Sequence, residues 1–387
     1  MRDGLPGGVR LPAYGTGSLA DLLPAVLASL EVPGERDVLG LAPTGRAVVL
    51  LVDGLGAELL RRHADAAPFL TSAASRDLTV GFPSTTVTSL ASFGTGLPPG
   101  EHGLAGYTSW VEEVDQVVGW LGWSPVSART DLRDQLVPEV VQPRPTAFER
   151  AAAAGVEVTV AAPASFDGSG LTRAVLRGGT YRGSITPGDA VALAAQASRA
   201  GTRTRSLVFC YTPDLDLTGH VRGVDSEAWR EQLSVVDGFA EQLAARLPAG
   251  TVLHVTADHG MVDVADDARV DADASPVLRE GVRALAGEPR MRHVHAEPGA
   301  AADVLARWRA ELGDRMWVAS RDEVVAAGLL GPVVSPAALA RTGDVVAVAT
   351  SGVAVVRRRA EPRFSALRGQ HGALTDDELL VPLVSSP

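Results

Sequence analysis

The sequence predicts an α/β protein with a mostly parallel central sheet, helices on both faces, and a smaller α+β insertion. Three observations carry this. Apolar runs of strand length recur at wide spacing, helical patterns fill the intervals, and one long stretch in the C-terminal half has a different texture. The runs lie at residues 47–52, 156–161, 207–211 and 252–256. Their near-continuous apolarity suits parallel strands covered on both faces. Between them, residues 187–200 open with a proline in the first turn, and residues 226–247 place Trp229, Leu233, Val236 and Phe239 at helical spacing. Alternation of this kind implies right-handed βαβ units. Residues 19–30 read as a short amphipathic helix containing Asp21 and Pro24. The divergent stretch, residues 263–356, carries a helical pattern at 301–312, short strands near 316–319 and 345–349, and several turns. It is predicted to be an inserted cap, with residues 1–262 and 357–387 forming the core.

Composition narrows the function classes. Of 387 residues, 46% are hydrophobic and 21% charged, ample for a packed core and unlike a disordered chain. A formal net charge of −11 argues against nucleic-acid scaffold binding and against a basic membrane patch. Cys210 is the lone cysteine, so neither a disulfide framework nor a thiolate-built metal site exists. All 35 basic residues are arginine, and asparagine is absent. A lysine nucleophile, a P-loop lysine and an asparagine donor are thereby excluded. The first residues show no basic-then-apolar signal pattern, and no apolar run approaches the roughly 18 residues of a membrane span. A cytoplasmic, membrane-free protein is the expectation; the oligomeric state is not encoded in any pattern.

Five elements carry chemistry. In residues 47–57 an apolar strand ends in Asp53, followed by Gly54 and Gly56. Ligands bind beyond the carboxyl ends of parallel strands, where such an acid is a metal-ligand candidate; taken alone, the pattern is read first as a turn-forming Asp-Gly. In residues 211–223, Asp216 and His220 are four apart and face one cation if a helix starts there, with Asp214 a competing carboxylate. Residues 251–261 deliver Asp258 and His259 at the end of another apolar strand. Burying such a pair is costly unless it is paired or metal-bound. His371 stands in a Gln-His-Gly turn ahead of a capping-box pattern, Thr375 with Glu378. Finally, Ser84, Thr85 and Thr86 precede an apolar-periodic run and mark a helix start near Thr86. Free amides there favour a phosphate, although capping accounts for the same cluster. Taken together, oxygen and imidazole ligands from several strand ends plus a hydroxyl at a helix start are the components of a two-metal phosphoryl-transfer site.

These elements resemble the alkaline phosphatase superfamily, and within it the type I phosphodiesterase/nucleotide pyrophosphatase family. They occur in the family's order: V-D-G-L-G at 52–56, the Thr cluster leading to T-G-L-P-P-G-E-H-G-L at 95–104, P-D-x-D-x-x-G-H at 213–220, T-A-D-H-G-M at 256–261 and G-x-H-G at 369–372. The resemblance implies an alkaline-phosphatase-like fold and two zinc ions, with manganese the alternative. Asp53, Thr86, Asp258 and His259 would hold one ion, and Asp216, His220 and His371 the other. It further implies Thr86 as nucleophile through a covalent phospho-threonine, Thr85 being the alternative register, and a small-molecule phosphoester substrate, nucleotides included. The chain departs from the family where an Asn normally follows the nucleophile: Ser89 stands there, and Leu90 replaces the usual His. Backbone amides at Thr86 or Val87, or the Thr88 or Ser89 hydroxyls, are the remaining donors for phosphoryl oxygens. A diesterase is the reading favoured here. A phosphomonoesterase or phosphonate hydrolase on the same core is the alternative, and an inactive metal-stabilised binding protein a further one. Tyr107, Trp110, Trp120 and Trp123 read either as a packed hairpin or as a stacking platform. His102 is read as a loop residue outside the metal site, and His293 and His295 as surface or cap residues on a strand.

Overall fold

The computed structural model describes residues 6–7, 9–73, 75–200 and 205–386. Its central sheet has seven strands: β1 (Arg46–Val52), β2 (Ser75–Thr79), β3 (Glu157–Pro163), β4 (Thr180–Ser184), β5 (Ser206–Thr212), β6 (Thr251–Thr256) and β7 (Leu380–Ser386), in the order β2-β7-β6-β1-β5-β3-β4. β1 runs parallel to both β5 and β6, β3 runs parallel to β5 and β4, and β7 alone runs against the other six, antiparallel to β2 and β6. The four apolar runs are thus contiguous in the sheet, and every residue of β1 after Arg46 is buried. Their register places Val52 beside Thr212 and Leu51 beside Thr256, so three carboxyl ends open at one place.

The strands that sequence patterning does not announce are β2, β4 and β7. β2 and β4 occupy the two sheet edges and are partly exposed and polar, so no apolar run marks them. β7 contains Pro382, which reads as a strand breaker. It is tolerated because Pro382 pairs only with β2, while the contact with β6 begins at Val384.

The helices used below are α1 (Leu22–Ser29), α2 (Thr86–Thr95), α3 (Pro187–Ala200), α4 (Asp214–Arg222) and α5 (Glu227–Ala244). In α5, Ser226 caps the amide of Trp229, and Trp229, Leu233, Val236 and Phe239 are buried, as the helical spacing predicts. α1 differs from the expectation. Leu22, Leu23, Ala25, Val26 and Leu27 are all buried, so it is a core helix rather than an amphipathic one. Asp21 stays outside and closes the entering turn by accepting the amides of Gly15, Gly17 and Ser18.

A second, antiparallel sheet of four strands orders Val282–Glu288, Met291–Ala296, Val345–Ala349 and Met316–Ser320. The helix Ala301–Leu312 turns its buried Val304, Trp308 and Leu312 inward. A three-stranded hairpin sheet, Thr108–Val111, Gln116–Gly119 and Ser124–Pro125, follows the loop after α2.

Candidate metal and phosphoryl site

Each predicted ligand stands where backbone geometry forces it. Asp53 is the first residue after β1. Its amide bonds to Thr212 of β5, fixing the two strand ends together. Gly54 follows at φ +77°, and a Cβ on it would lie 3.0 Å from the Asp216 Cα. The V-D-G pattern is therefore a close approach of two backbones that only glycine permits. β5 leads through Pro213 into α4, whose first turns present Asp216 and His220 on one face, with Asp216 Oδ2 3.4 Å from His220 Nε2. Asp214 turns away and accepts from the Thr212 hydroxyl instead. Beyond β6, Asp258 Oδ2 lies 3.6 Å from His259 Nε2, and Asp53 Oδ1 lies 3.4 Å from the same nitrogen. His371 stacks on His259 with ring centroids 3.6 Å apart, and its Nε2 is 3.9 Å from Asp216 Oδ1.

Two groups emerge in which every candidate ligand atom is within 4.8 Å of the others: Asp216 with His220 and His371, and Asp53 with Asp216 and His259. Asp216 belongs to both. Asp258 sits beside the second group, one oxygen accepting the Gly54 amide.

The fit to cations rests on unused lone pairs. Nδ1 of His220, His259 and His371 donates to the carbonyls of Gly369, Gly260 and Ser84 respectively. A carbonyl only accepts, so each ring carries its proton on Nδ1 and turns a bare Nε2 into the site. Asp53 Oδ1, Asp216 Oδ1 and Asp258 Oδ2 are buried without a hydrogen-bond partner among the described residues. Burial, then the charges of Asp258 and Asp216, pushes the Asp53 carboxyl well above the usual carboxylate range. Burial also raises Asp258, while burial and then His259 and His220 hold the His371 imidazole well below its ordinary value. Three clustered carboxylates and three bare imidazole nitrogens are satisfied together by divalent cations and by little else.

The helix α2 begins at Thr86, with Thr85 as its N-cap residue. The Thr86 hydroxyl donates to His259 Nε2 at 3.2 Å, which places Oγ1 among the ligand atoms. Beside it, Thr85 Oγ1 is buried without a partner among the described residues. Both threonines line a cavity of about 610 Å³ that also takes in Asp53, Asp216, His220 and His371.

With that geometry in place, the comparisons decide the family. The model of the type I phosphodiesterase / nucleotide pyrophosphatase family matches residues 47–374. The chain belongs to this family. As a family member it is a metal-dependent hydrolase, and residues 47–374 include every candidate ligand from Asp53 to His371. Among solved structures it is similar to murine ectonucleotide pyrophosphatase / phosphodiesterase 5, with a TM-score of 0.67 and 18% identity over 87% of each chain. The human counterpart gives 0.66 and 17%, again over 87% of each chain. Phosphonoacetate hydrolase from Sinorhizobium meliloti 1021, solved with phosphonoformate, gives 0.63 and 19%, covering 88% of this chain and 89% of that one. At these identities the likeness establishes the shared fold. No curated protein sequence matches the chain.

Several sequence expectations need correction or completion. Glu378 pairs with Thr375 without the reciprocal capping box: it accepts the Thr375 hydroxyl at 2.6 Å and the Ala373 amide, is fully buried, and binds Arg290 through both oxygens at 3.0 and 2.6 Å. The local pairing is kept, and the buried acid takes a distant arginine as well. His293 and His295 lie on the strand Met291–Ala296 as expected but are buried, and His293 Nε2 donates to the Ala105 carbonyl. His102 stays out of the site: it is buried, its Nε2 donates to Ser92, and its Nδ1 accepts the Leu104 amide. Ser89 is buried with no partner for its hydroxyl among the described residues, and Thr88 accepts the Gly106 amide. Leu90 does line the cavity. Of the four aromatics, Trp120 and Trp123 pack edge to face inside the hairpin, and Trp110 meets His295 and Arg283. Tyr107 reaches the cavity, against Phe364. Sequence reasoning missed Tyr211, whose hydroxyl donates to Asp53 Oδ2 across 158 positions, and Glu288, which enters the cavity wall from the four-stranded sheet. Tyr211 lies in an apolar strand run, where nothing local distinguishes it from a core residue.

Proposed function

We propose that this chain is a two-zinc phosphodiesterase/nucleotide pyrophosphatase working through a covalent phospho-threonine on Thr86, with manganese the alternative metal. The observation that carries the reading is the Thr86 hydroxyl, at a helix N-terminus and 3.2 Å from His259 of one ligand group, lining the same cavity as Asp53, Asp216, His220 and His371. Asp53, Asp258 and His259 with Thr86 would hold one ion, and Asp216, His220 and His371 the other. Bound there, divalent cations neutralise phosphoryl charge and lower the pKa of a coordinated hydroxyl. Thr86 Oγ attacks phosphorus in line and the alcohol departs on the opposite side. Water then opens the phospho-threonine from the vacated side. The first amides of α2 have no intrahelical acceptor, so they are free to hold the phosphoryl oxygens in the role that Asn has in relatives. Residues 263–356 are proposed as the inserted cap, which is supported by the four-stranded sheet falling wholly within that range.

Likeness to a murine ectonucleotide pyrophosphatase / phosphodiesterase 5 solved in an inactive form with AMP supports the diester reading. Likeness to phosphonoacetate hydrolase supports a second one, cleavage of a phosphonate on the same residues. The test is parallel turnover of 4-nitrophenyl phosphate and a 4-nitrophenyl phosphodiester by zinc-loaded protein and its Thr86→Ala variant. The diester is expected to turn over faster, and the variant to keep its zinc while losing at least 10²-fold in rate. A strong monoester preference overturns the diesterase assignment, and full activity of Thr86→Ala overturns the nucleophile.

A further inference from the structure

The wall of the cavity in front of Thr86 is chemically one-sided. Apart from the ligand groups and the two threonines, it is built largely from apolar side chains, Leu90, Leu171 and Phe364 among them. No arginine is among the described residues that line it, and the sequence has no lysine to supply a cation. The remaining acidic side chain on the wall, Glu288, offers no positive charge to a second phosphate. The apolar surface also continues outward. Leu121, Phe166 and Leu217 are respectively 43%, 37% and 61% exposed, and all three line this cavity. They come from three separate places, the hairpin turn, the turn after β3, and α4. Large exposed apolar side chains scattered singly need no explanation, but three converging on one mouth mark a binding surface.

Resting on the phosphodiesterase half of the reading above and narrowing it away from pyrophosphates, we infer that the substrate is a phosphoester of an apolar alcohol, an alkyl or aryl group that fills the cavity and leaves over the Leu121–Phe166–Leu217 mouth, and that substrates carrying further phosphates are selected against. A polyphosphate chain needs cationic partners to offset its desolvation, and this wall supplies none beyond the metal site. An alkyl group gains for each methylene that the cavity takes from water.

The full-length zinc-loaded chain is titrated calorimetrically with methylphosphonate, octylphosphonate and adenosine triphosphate, and turnover of 4-nitrophenyl phosphoesters is followed separately. Octylphosphonate is expected to bind at least tenfold tighter than methylphosphonate and tighter than the triphosphate. Leu121→Ser, a change in an exposed turn, is expected to shrink the octyl-to-methyl ratio several-fold. Equal affinities for the two phosphonates, tighter binding of the triphosphate, or a ratio untouched by Leu121→Ser overturns the inference. Absence of nitrophenol release from every ester overturns the phosphoesterase reading instead, and leaves the affinity ratio to judge the cavity.

Discussion

Tyr211→Phe removes a single oxygen, and its consequence is measurable in metal affinity. The Tyr211 hydroxyl donates to Asp53 Oδ2, both residues are buried, and the other Asp53 oxygen has no partner among the described residues. Burial, followed by the charges of Asp53 and Asp258, raises the Tyr211 pKa well above its ordinary value, so the hydroxyl remains a donor throughout the working pH range. A hydrogen bond to a charged group is worth about 1.5–3 kcal/mol. If that bond orients Asp53 toward a cation, its loss weakens binding roughly 10- to 100-fold, the range typical of partners that orient metal ligands. Phenylalanine keeps the ring packed near Phe166 and Phe209, so the fold is preserved. Competition against a chromophoric zinc chelator reads the affinity directly, with circular dichroism confirming the fold. An affinity within twofold of the parent would refute the orienting role of Tyr211 and with it the placement of Asp53 as a ligand.

Three other outcomes follow from the same geometry. Arg290 and Glu378 are 1% and 0% exposed as side chains, and Arg290 also bonds the carbonyls of Ser351 and Val353. Arg290→Met or Glu378→Leu alone is expected to cost about 3–5 kcal/mol by urea unfolding, with much of that recovered in the double variant; a single-variant cost below 1 kcal/mol would mean the pair behaves as a surface bridge. Gly54→Ala places a side chain at φ +77° and 3.0 Å from the Asp216 backbone, so zinc affinity and thermal midpoint are both expected to drop, and an unchanged pair of values would show the turn to be adaptable. Burial holds His102 at a pKa of about 3, against an ordinary 6.5. As pH falls through 6.5 toward 3 the unfolded chain binds a proton that the fold refuses, so stability is lost in that window and retained above it. Urea unfolding at pH 7 and pH 5 is expected to show this loss in the parent and less of it in His102→Gln; equal losses would assign it to other groups.

What was legible in the sequence is what short-range physics writes into it. Apolar runs announce buried parallel strands, and their ends announce Asp53 and the Asp258–His259 pair. A four-residue spacing brings Asp216 and His220 to one helix face because a helix returns every 3.6 residues. A Ser/Thr cluster before an apolar period marks the start of α2. The edge strands and β7 were not legible, since polarity at a sheet edge and a proline within a strand erase the pattern. Tertiary structure alone decided the rest. It set Asp216 within reach of both ligand groups, turned Asp214 away, and gave Glu378 a second partner, Arg290, across 88 positions. It also brought Tyr211 to Asp53, and it closed an apolar wall around a charged centre. Those choices follow from the register of adjacent strands and from the cost of leaving a buried charge unpaired. Both are properties of segments far apart in the chain, so no local window of sequence contains them.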